Sequence, residues 1–292
     1  MYIKADKPVY EEGTAHLRCK SDKISEIVFL PGDHARVEMF RDLLEDYEIV
    51  SFNREFKVGT GKYNGVPITI CSTGIGGPST EIAVTELIEL GAKYLIRIGG
   101  CGAIREDIKC GEFIINTGSV RMGGSSKFYA MPEYPAVADF DLVMCLKEAS
   151  EKKNFKCHLG IGASIGSFYR GQGRNPLSVA DKHYQDLYDE LIRLNVMNLE
   201  MEAETIFTLS SIYGVKAASI CVVHCNRITN EWLVEYGDPQ LNMCKTALEA
   251  AKILYNKSKG GIIYEKIIFN TIFNFNIRFI QWMWRNKRKY SC

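Results

Sequence analysis

The chain has 292 residues, 46% of them hydrophobic, which is ample for a sizeable core in one domain. Thirty-six basic against thirty-five acidic residues give a formal net charge of +1, so the total charge points to neither nucleic acid nor an acidic partner. Ten scattered cysteines without a CxxC pair argue against a disulfide framework and read as a reduced, cytoplasmic interior.

The first residues, MYIKADKPVYEEG, contain no apolar run of the kind a signal peptide needs, and nothing later reads as a clean membrane span. From there β-branched runs alternate with segments of helical period. A strand over Glu26 to Leu30 precedes a helix over Ala35 to Leu44, and a strand over Pro67 to Thr73 precedes a helix over Thr80 to Leu90. Strands follow at Tyr94 to Ile98 and Phe113 to Asn116, then a helix over Phe140 to Lys152 and a strand over His158 to Ser164. Helices over Lys182 to Leu194 and Glu202 to Tyr213, a strand over Ala217 to Val223 and a helix over Leu241 to Asn256 complete the pattern. It predicts an α/β domain without internal repeats over 1–258.

Several strands run into glycine turns: LPGD at 30–33, STGIGGPS at 72–79 and RIGGCG at 97–102. The carboxyl ends of strands in open α/β sheets are where ligands bind. The turn STGIGGPS would expose backbone N–H groups at a helix start, an anion cradle in principle, although glycine serves plain turn geometry as often. Its spacing fits neither a Walker A loop nor a GxGxxG fingerprint. Arg36 opens a helix, Arg54 sits in FNREF, and Arg97 ends an apolar strand where its charge needs an anion or an acid. Each alone is explained by a surface salt bridge, whereas three beside glycine turns favour phosphate. In NLEMEAET, Glu200, Glu202 and Glu204 alternate with apolar residues and are read either as a solvated face or as the mouth of a site. Cys221, His224 and Cys225 lack a second ligand pair at metal-binding spacing, so a buried strand end is preferred to a metal site.

Taken together, LPGDHARV, FNREF, CSTGIGGPS, RIGGCGAI, SFYRGQGR, NLEMEAET and CNR resemble, in order and spacing, the uridine phosphorylases of the nucleoside phosphorylase superfamily, from about His16 to about Leu254. The resemblance implies a single-domain, three-layer α/β/α fold with a central mixed, partly barrel-like sheet. It implies phosphate held by Gly32, Arg36, Arg97 and Gly100, with Arg54 reaching in from a neighbouring subunit. The ribose would meet His16, also from the neighbour, with Glu200, Met201 and Glu202. The base would lie against Phe168, with Gln172 and Arg174 on its carbonyl and N3 edge and with Arg227, His224 and Cys225 nearby. Arg97, Gln172, Arg174 and Arg227 would carry the catalysis. Glu204 is left for a structural ion pair. The implied reaction is reversible phosphorolysis of uridine to uracil and ribose 1-phosphate, a pentosyl transfer serving pyrimidine salvage in the cytoplasm.

The partners implied are a nucleoside and inorganic phosphate, with no nucleic acid and no integral membrane. Sites shared between subunits imply a homo-oligomer, at least a dimer and up to a hexamer. No cofactor and no catalytic metal are implied, and Glu55, Ile75 and Ser79 match positions that hold a monovalent cation, potassium, between subunits of some relatives. Purine-specific relatives carry an Asp where VVHCNR offers Cys225 and Asn226, which favours a pyrimidine over a purine nucleoside. A nucleosidase and a non-catalytic nucleoside-binding protein are the other readings.

The chain departs from the pattern at His34, where proline is usual, and at Gly100, where a hydroxyl residue is usual, and the lost hydroxyl predicts weaker phosphate binding. His224 replaces an aliphatic residue and is read as a bond to the pyrimidine, a closure of the pocket or a satisfied core histidine. The extension 259–292 stands outside the resemblance. Its polar Lys266, Asn270, Asn274, Arg278, Gln281 and Arg285 recur every three or four residues and predict a helix with a wide apolar face. Packing on the domain is preferred to burial in an oligomer or to lying on a membrane.

Overall fold

The computed structural model describes residues 5, 6, 8–11, 13–174, 177 and 182–259. The chain divides into two compact units, Met1–Lys252 and Ile253–Cys292. Of the second only 253–259 are described, helical throughout, so the predicted extension helix lies outside the described residues.

Eleven strands of the first unit join in one mixed sheet: β1 (Ile27–Leu30), β2 (Glu45–Asn53), β3 (Phe56–Tyr63), β4 (Val66–Cys71), β5 (Tyr94–Ala103), β6 (Phe113–Met122), β7 (Ala136–Val137), β8 (Cys157–Ile165), β9 (Asn198–Glu200), β10 (Lys216–Asn226) and β11 (Glu231–Trp232). Its order is β11-β10-β6-β8-β9-β5-β1-β4-β3-β2, and β10 also pairs with β5. That extra pairing closes β5, β10, β6, β8 and β9 into a five-stranded barrel, the partly barrel-like sheet the resemblance implied. β5 runs parallel to both β1 and β10, and its buried run of Leu95, Ile96 and Ile98 is what a strand covered on both faces requires.

Helices α1 (Ala35–Glu38), α2 (Gly77–Glu89), α3 (Phe140–Lys152), α4 (Lys182–Arg193) and α5 (Ala203–Ile212) follow, with a sixth, α6, over 237–259. Asp139 caps α3 by accepting from the Leu142 N–H at 3.0 Å, which fixes its start where the sequence predicted it. Leu87 of α2 and Leu209 of α5 belong to one buried cluster with Val28 of β1 and Leu95 of β5, so apolar faces of two helices seal the sheet beside the glycine turns.

The predicted helix over Ala35 to Leu44 is shorter than expected. After Glu38 the backbone tightens into bonds from Met39 to Arg36, Phe40 to Val37 and Arg41 to Glu38, which lead into β2. Val37, Phe40 and Leu44 are buried in either winding, so their spacing could not distinguish the two. The hairpin β2–β3 was not expected, because β2 has no buried residue and β3 carries Gly59 and Gly61. Those glycines are needed: a Cβ at Gly59 would stand 2.8 Å from the Tyr47 hydroxyl, and one at Gly61 would stand 2.9 Å from the Glu45 carbonyl oxygen. Arg97 also lies mid-strand rather than at a strand end, since β5 continues to Ala103.

Candidate active site

The carboxyl ends of β1, β5 and β10 meet in a cavity of about 460 Å³ whose lining includes Gly32, Arg36, Arg97, Gly100, Met201 and Glu202. That volume suits a small organic ligand. Phe168, Gln172, Arg174, His224 and Cys225 line it too, so segments from 32 to 232 in the chain converge on one space.

NLEMEAET fits neither strand nor helix period because it straddles both: β9 ends at Glu200 and α5 begins at Ala203. Glu200 folds over that junction and accepts from the N–H groups of Glu202 and Ala203, each at 2.9 Å, satisfying donors that a helix start leaves orphaned. Its other oxygen accepts from the Ser164 hydroxyl. Glu202 accepts from the Gly76 N–H at 2.5 Å. The turn STGIGGPS therefore gives one of its N–H groups to a protein carboxylate rather than leaving all of them for a ligand anion.

Arg97, 3% exposed, lies between the two acids. Its Nη2 is 2.6 Å from Glu202 Oε2 and its Nε is 2.8 Å from Glu200 Oε2. The Nε–H is not aimed along the second contact, so that pair is held by charge rather than by a directed hydrogen bond. Burial disfavours the Arg97 cation, but Glu202 and Glu200 outweigh it and hold its pKa above the usual value. Burial pushes the Glu202 carboxyl up, Arg97 pulls it down, and Glu200 beside it pushes it up again. The two acids thus share one guanidinium.

Arg36 is different. It is buried, and its guanidinium bonds run to neutral acceptors, 3.1 Å to the Ile98 carbonyl and 3.4 Å to Gln240 Oε1. Burial, and then Arg97 nearby, push its pKa down. A buried cation in that setting is a standing invitation to an anion. Gly32 beside it leaves little room for a side chain, since a Cβ there would come within 3.1 Å of the Gly74 carbonyl oxygen.

Gly99 shapes the same wall. A Cβ at this position would stand 2.7 Å from the Arg97 guanidinium carbon. Gly99→Ala is expected to displace the guanidinium from its two acids and to cost about 1–3 kcal/mol of stability, read from the urea midpoint. An unchanged midpoint would contradict the packing described here.

The second group of lining residues comes from the loop after β8. Gln172, 3% exposed, offers its Oε1 to Arg174 Nη1 at 2.6 Å, and Arg174 also bonds the Phe168 carbonyl at 3.0 Å. The Arg174 guanidinium carbon lies 4.1 Å from the Phe168 ring centroid, so ring and fork brace each other. Arg227 is not part of the lining. Its Nη1 donates to the Gln172 carbonyl at 2.6 Å, which makes it a positioning residue for the loop. Cys225 faces the cavity, while Asn226 is turned away, donating to the Arg105 and Ile108 carbonyls and accepting from the Ile228 and Thr229 N–H groups.

His16 and Arg54 are not in the lining of this chain's own cavity. His16 Nδ1 lies 2.8 Å from Glu86 Oε1, and Arg54 is exposed on the β2–β3 turn at φ +55°. The two belong to one surface region, because Asn53 beside Arg54 donates to the His16 carbonyl at 2.8 Å. Glu55 and Ile75 do line the cavity, and Ser79 donates to Glu55 Oε1 at 2.9 Å. Among the described residues no cluster of three metal-ligating side chains occurs. Glu204 is fully buried, 3.8 Å from Arg121 Nε, with Thr205 donating to it at 3.1 Å, the structural pairing expected of it. Sequence reading missed Gln240, Trp232 and Gly76. Only Gly76 stood in a stretch already singled out, and α6 begins earlier than expected, which brings Gln240 into a helix.

Comparison with known proteins gives this geometry a family. A model described as the phosphorylase superfamily matches residues 26–255. A protein named uridine phosphorylase from Thermococcus kodakarensis is 44% identical over 255 residues, 87% of this chain and 91% of that one. A uridine phosphorylase from Escherichia coli K12 is 38% identical over 207 residues, 70% of this chain and 82% of that one. A guanosine phosphorylase from Halorubrum lacusprofundi is 38% identical over 226 residues, 77% of this chain and 89% of that one. The match takes in every strand of the sheet and every element around the cavity, and the chain belongs to the phosphorylase superfamily.

Proposed function

We propose that the chain is a uridine phosphorylase, a pentosyltransferase that converts uridine and inorganic phosphate into uracil and ribose 1-phosphate. One observation carries the base preference: the braced Gln172–Arg174 pair lines the cavity, while Asn226 is used up in holding its own turn. Arg36, with Gly32 and the Arg97 cluster, holds phosphate. A phosphate oxygen attacks C1′ as the bond to N1 breaks, and the electron pair passes onto the pyrimidine. Arg174 and Gln172 stabilise the anion growing on the uracil carbonyl, and a proton then completes the free base. Glu202 accepts from ribose hydroxyls and Met201 packs on the sugar, with Glu200 behind as support. No redox cofactor or catalytic metal takes part in this scheme.

His16 and Arg54 complete the site from a neighbouring copy, which makes the working form a homo-oligomer, dimer or hexamer. Their shared surface region supports that reading. Glu55 with Ser79 offers oxygens suited to a monovalent cation such as potassium. A cytoplasmic setting accords with ten cysteines, of which those described are free thiols, and among the described residues no helix is long and apolar enough to cross a membrane.

The guanosine phosphorylase relative is the specific observation favouring a purine substrate. A panel of uridine, inosine and guanosine with saturating phosphate decides between them. Uridine is expected to be cleaved at least about a hundredfold more efficiently by kcat/KM, the scale on which a polar subsite discriminates. Equal or better cleavage of guanosine would overturn the pyrimidine reading.

The raised Glu202 carboxyl gives a pH test. A group ionised only above an elevated pKa loses its acceptor as pH falls through that value, so the acid limb of kcat/KM for uridine should lie above 4.5, the ordinary glutamate value. Glu202→Gln should lower kcat/KM and remove that limb. An acid limb unchanged in the variant would assign it to another group.

A further inference from the structure

The absent hydroxyl at Gly100 leaves a space, and the structure fills it. β10 departs from its register with β5 between Val223 and Cys225, so His224 is the extra residue of a bulge, the device by which a strand re-aims one side chain. Its ring turns toward β5. An ideal Cβ built on Gly100 would stand 2.4 Å from His224 Nδ1 and 2.4 Å from Cε1, distances no real side chain tolerates. Glycine at 100 and histidine at 224 are therefore two halves of one arrangement.

The ring is held from two sides. It stacks on Tyr236 with centroids 4.7 Å apart and planes 27° from parallel. Its Nε2 lies 3.2 Å from the Gln240 amide nitrogen, and Gln240 is oriented in turn by the bond from Arg36 Nε to its Oε1. An amide N–H facing Nε2 makes that nitrogen the acceptor, so the proton sits on Nδ1, the atom beside Gly100 in the cavity wall. Burial, then the Arg36 charge, push the imidazole down to about 4, so it stays neutral and keeps this tautomer at ordinary pH.

We propose that His224 is a phosphate-binding residue, donating its Nδ1–H to a phosphate oxygen from the place where a side-chain hydroxyl at position 100 would stand. This deepens the proposed function and rests on its assignment of phosphate to the Arg36 end of the cavity. It replaces two expectations from the sequence, that Gly100 leaves phosphate short of a donor and that His224 serves the pyrimidine.

The test uses the full chain and four variants: His224→Phe, His224→Gln, Gly100→Thr and the double Gly100→Thr/His224→Val. Calorimetry with inorganic phosphate gives affinity without turnover, and steady-state kinetics give KM for phosphate and for uridine separately. His224→Phe keeps a ring for Tyr236 but has no donor, and should weaken phosphate at least about tenfold with uridine KM within about twofold of the wild type. His224→Gln keeps a donor and should lose less. Gly100→Thr alone should weaken phosphate as much as His224→Phe, because it drives the ring out. The double variant, in which the threonine hydroxyl has room, should return to within about threefold of the wild type.

Unchanged phosphate affinity in His224→Phe, or a rise in uridine KM instead, would overturn the assignment, as would a double variant no better than Gly100→Thr. A wild type that binds phosphate more tightly than His224→Phe yet cleaves no nucleoside would sink the proposed reaction and leave the His224 assignment standing. A wild type that cleaves uridine while His224→Phe binds phosphate equally well would do the reverse.

Discussion

Arg97→Ala is expected to abolish phosphorolysis, with kcat/KM for uridine falling at least about a thousandfold, and to lower stability by about 3–5 kcal/mol. The size of both effects comes from one side chain serving two purposes. Arg97 adds its charge to the phosphate end of the cavity, and it is also the counter-ion of buried Glu200 and Glu202. Removing it leaves two buried carboxylates side by side with no cation between them. The Glu202 carboxyl, already pushed up by burial, then loses the one charge that pulled it down, and its folded-state pKa rises further above the unfolded one. Such a group binds protons more tightly when folded, so the lost stability is largest above the raised pKa and is regained as pH falls toward the unfolded value. Urea unfolding of the variant at pH 5 and pH 8 checks the sign: the deficit against the wild type should be smaller at pH 5. An equal deficit at both would mean that cavity formation, rather than charge, sets the cost.

Gln172→Ala carries the second large effect. The amide is buried, its oxygen aligns the Arg174 fork at 2.6 Å, and its backbone is anchored independently by Arg227. The truncation therefore removes one donor to the base and loosens another, without unfolding the loop. Loss of transition-state charge stabilisation of this kind costs about a hundredfold or more in kcat. KM for phosphate should be unchanged, because Arg36 and Gly32 lie in the other group of lining residues. Should phosphate KM rise in step with the fall in kcat, the two groups are not the separate subsites described.

The α/β class and most helices were legible in the sequence because their signals are local. The 3.6-residue period placed α3 over the residues it occupies, and the apolar runs of β1, β4 and β5 needed only β-branched content between turns. What escaped was set by contacts distant in the chain. β3 carries two glycines that weaken a strand by propensity yet are demanded by Tyr47 and the Glu45 backbone of the strand beside it. Glu200, Glu202 and Arg97 were all singled out, but their mutual pairing depends on β5 and β9 lying antiparallel, which no local pattern encodes. His224 is the sharpest instance. As a residue it was ambiguous, and as a departure Gly100 read as a loss; only the bulge in β10 brings them face to face.

The most direct measurement is uracil release from uridine by the purified protein, with and without inorganic phosphate, with ribose 1-phosphate quantified in the same samples. The account predicts cleavage only when phosphate is present, with uracil and ribose 1-phosphate formed in equal amounts. Cleavage without phosphate, yielding free ribose, would mean that water is the nucleophile and that the Arg36 end of the cavity was misassigned. Binding of uridine without cleavage in either condition would mean that the fold had kept the site and lost the chemistry.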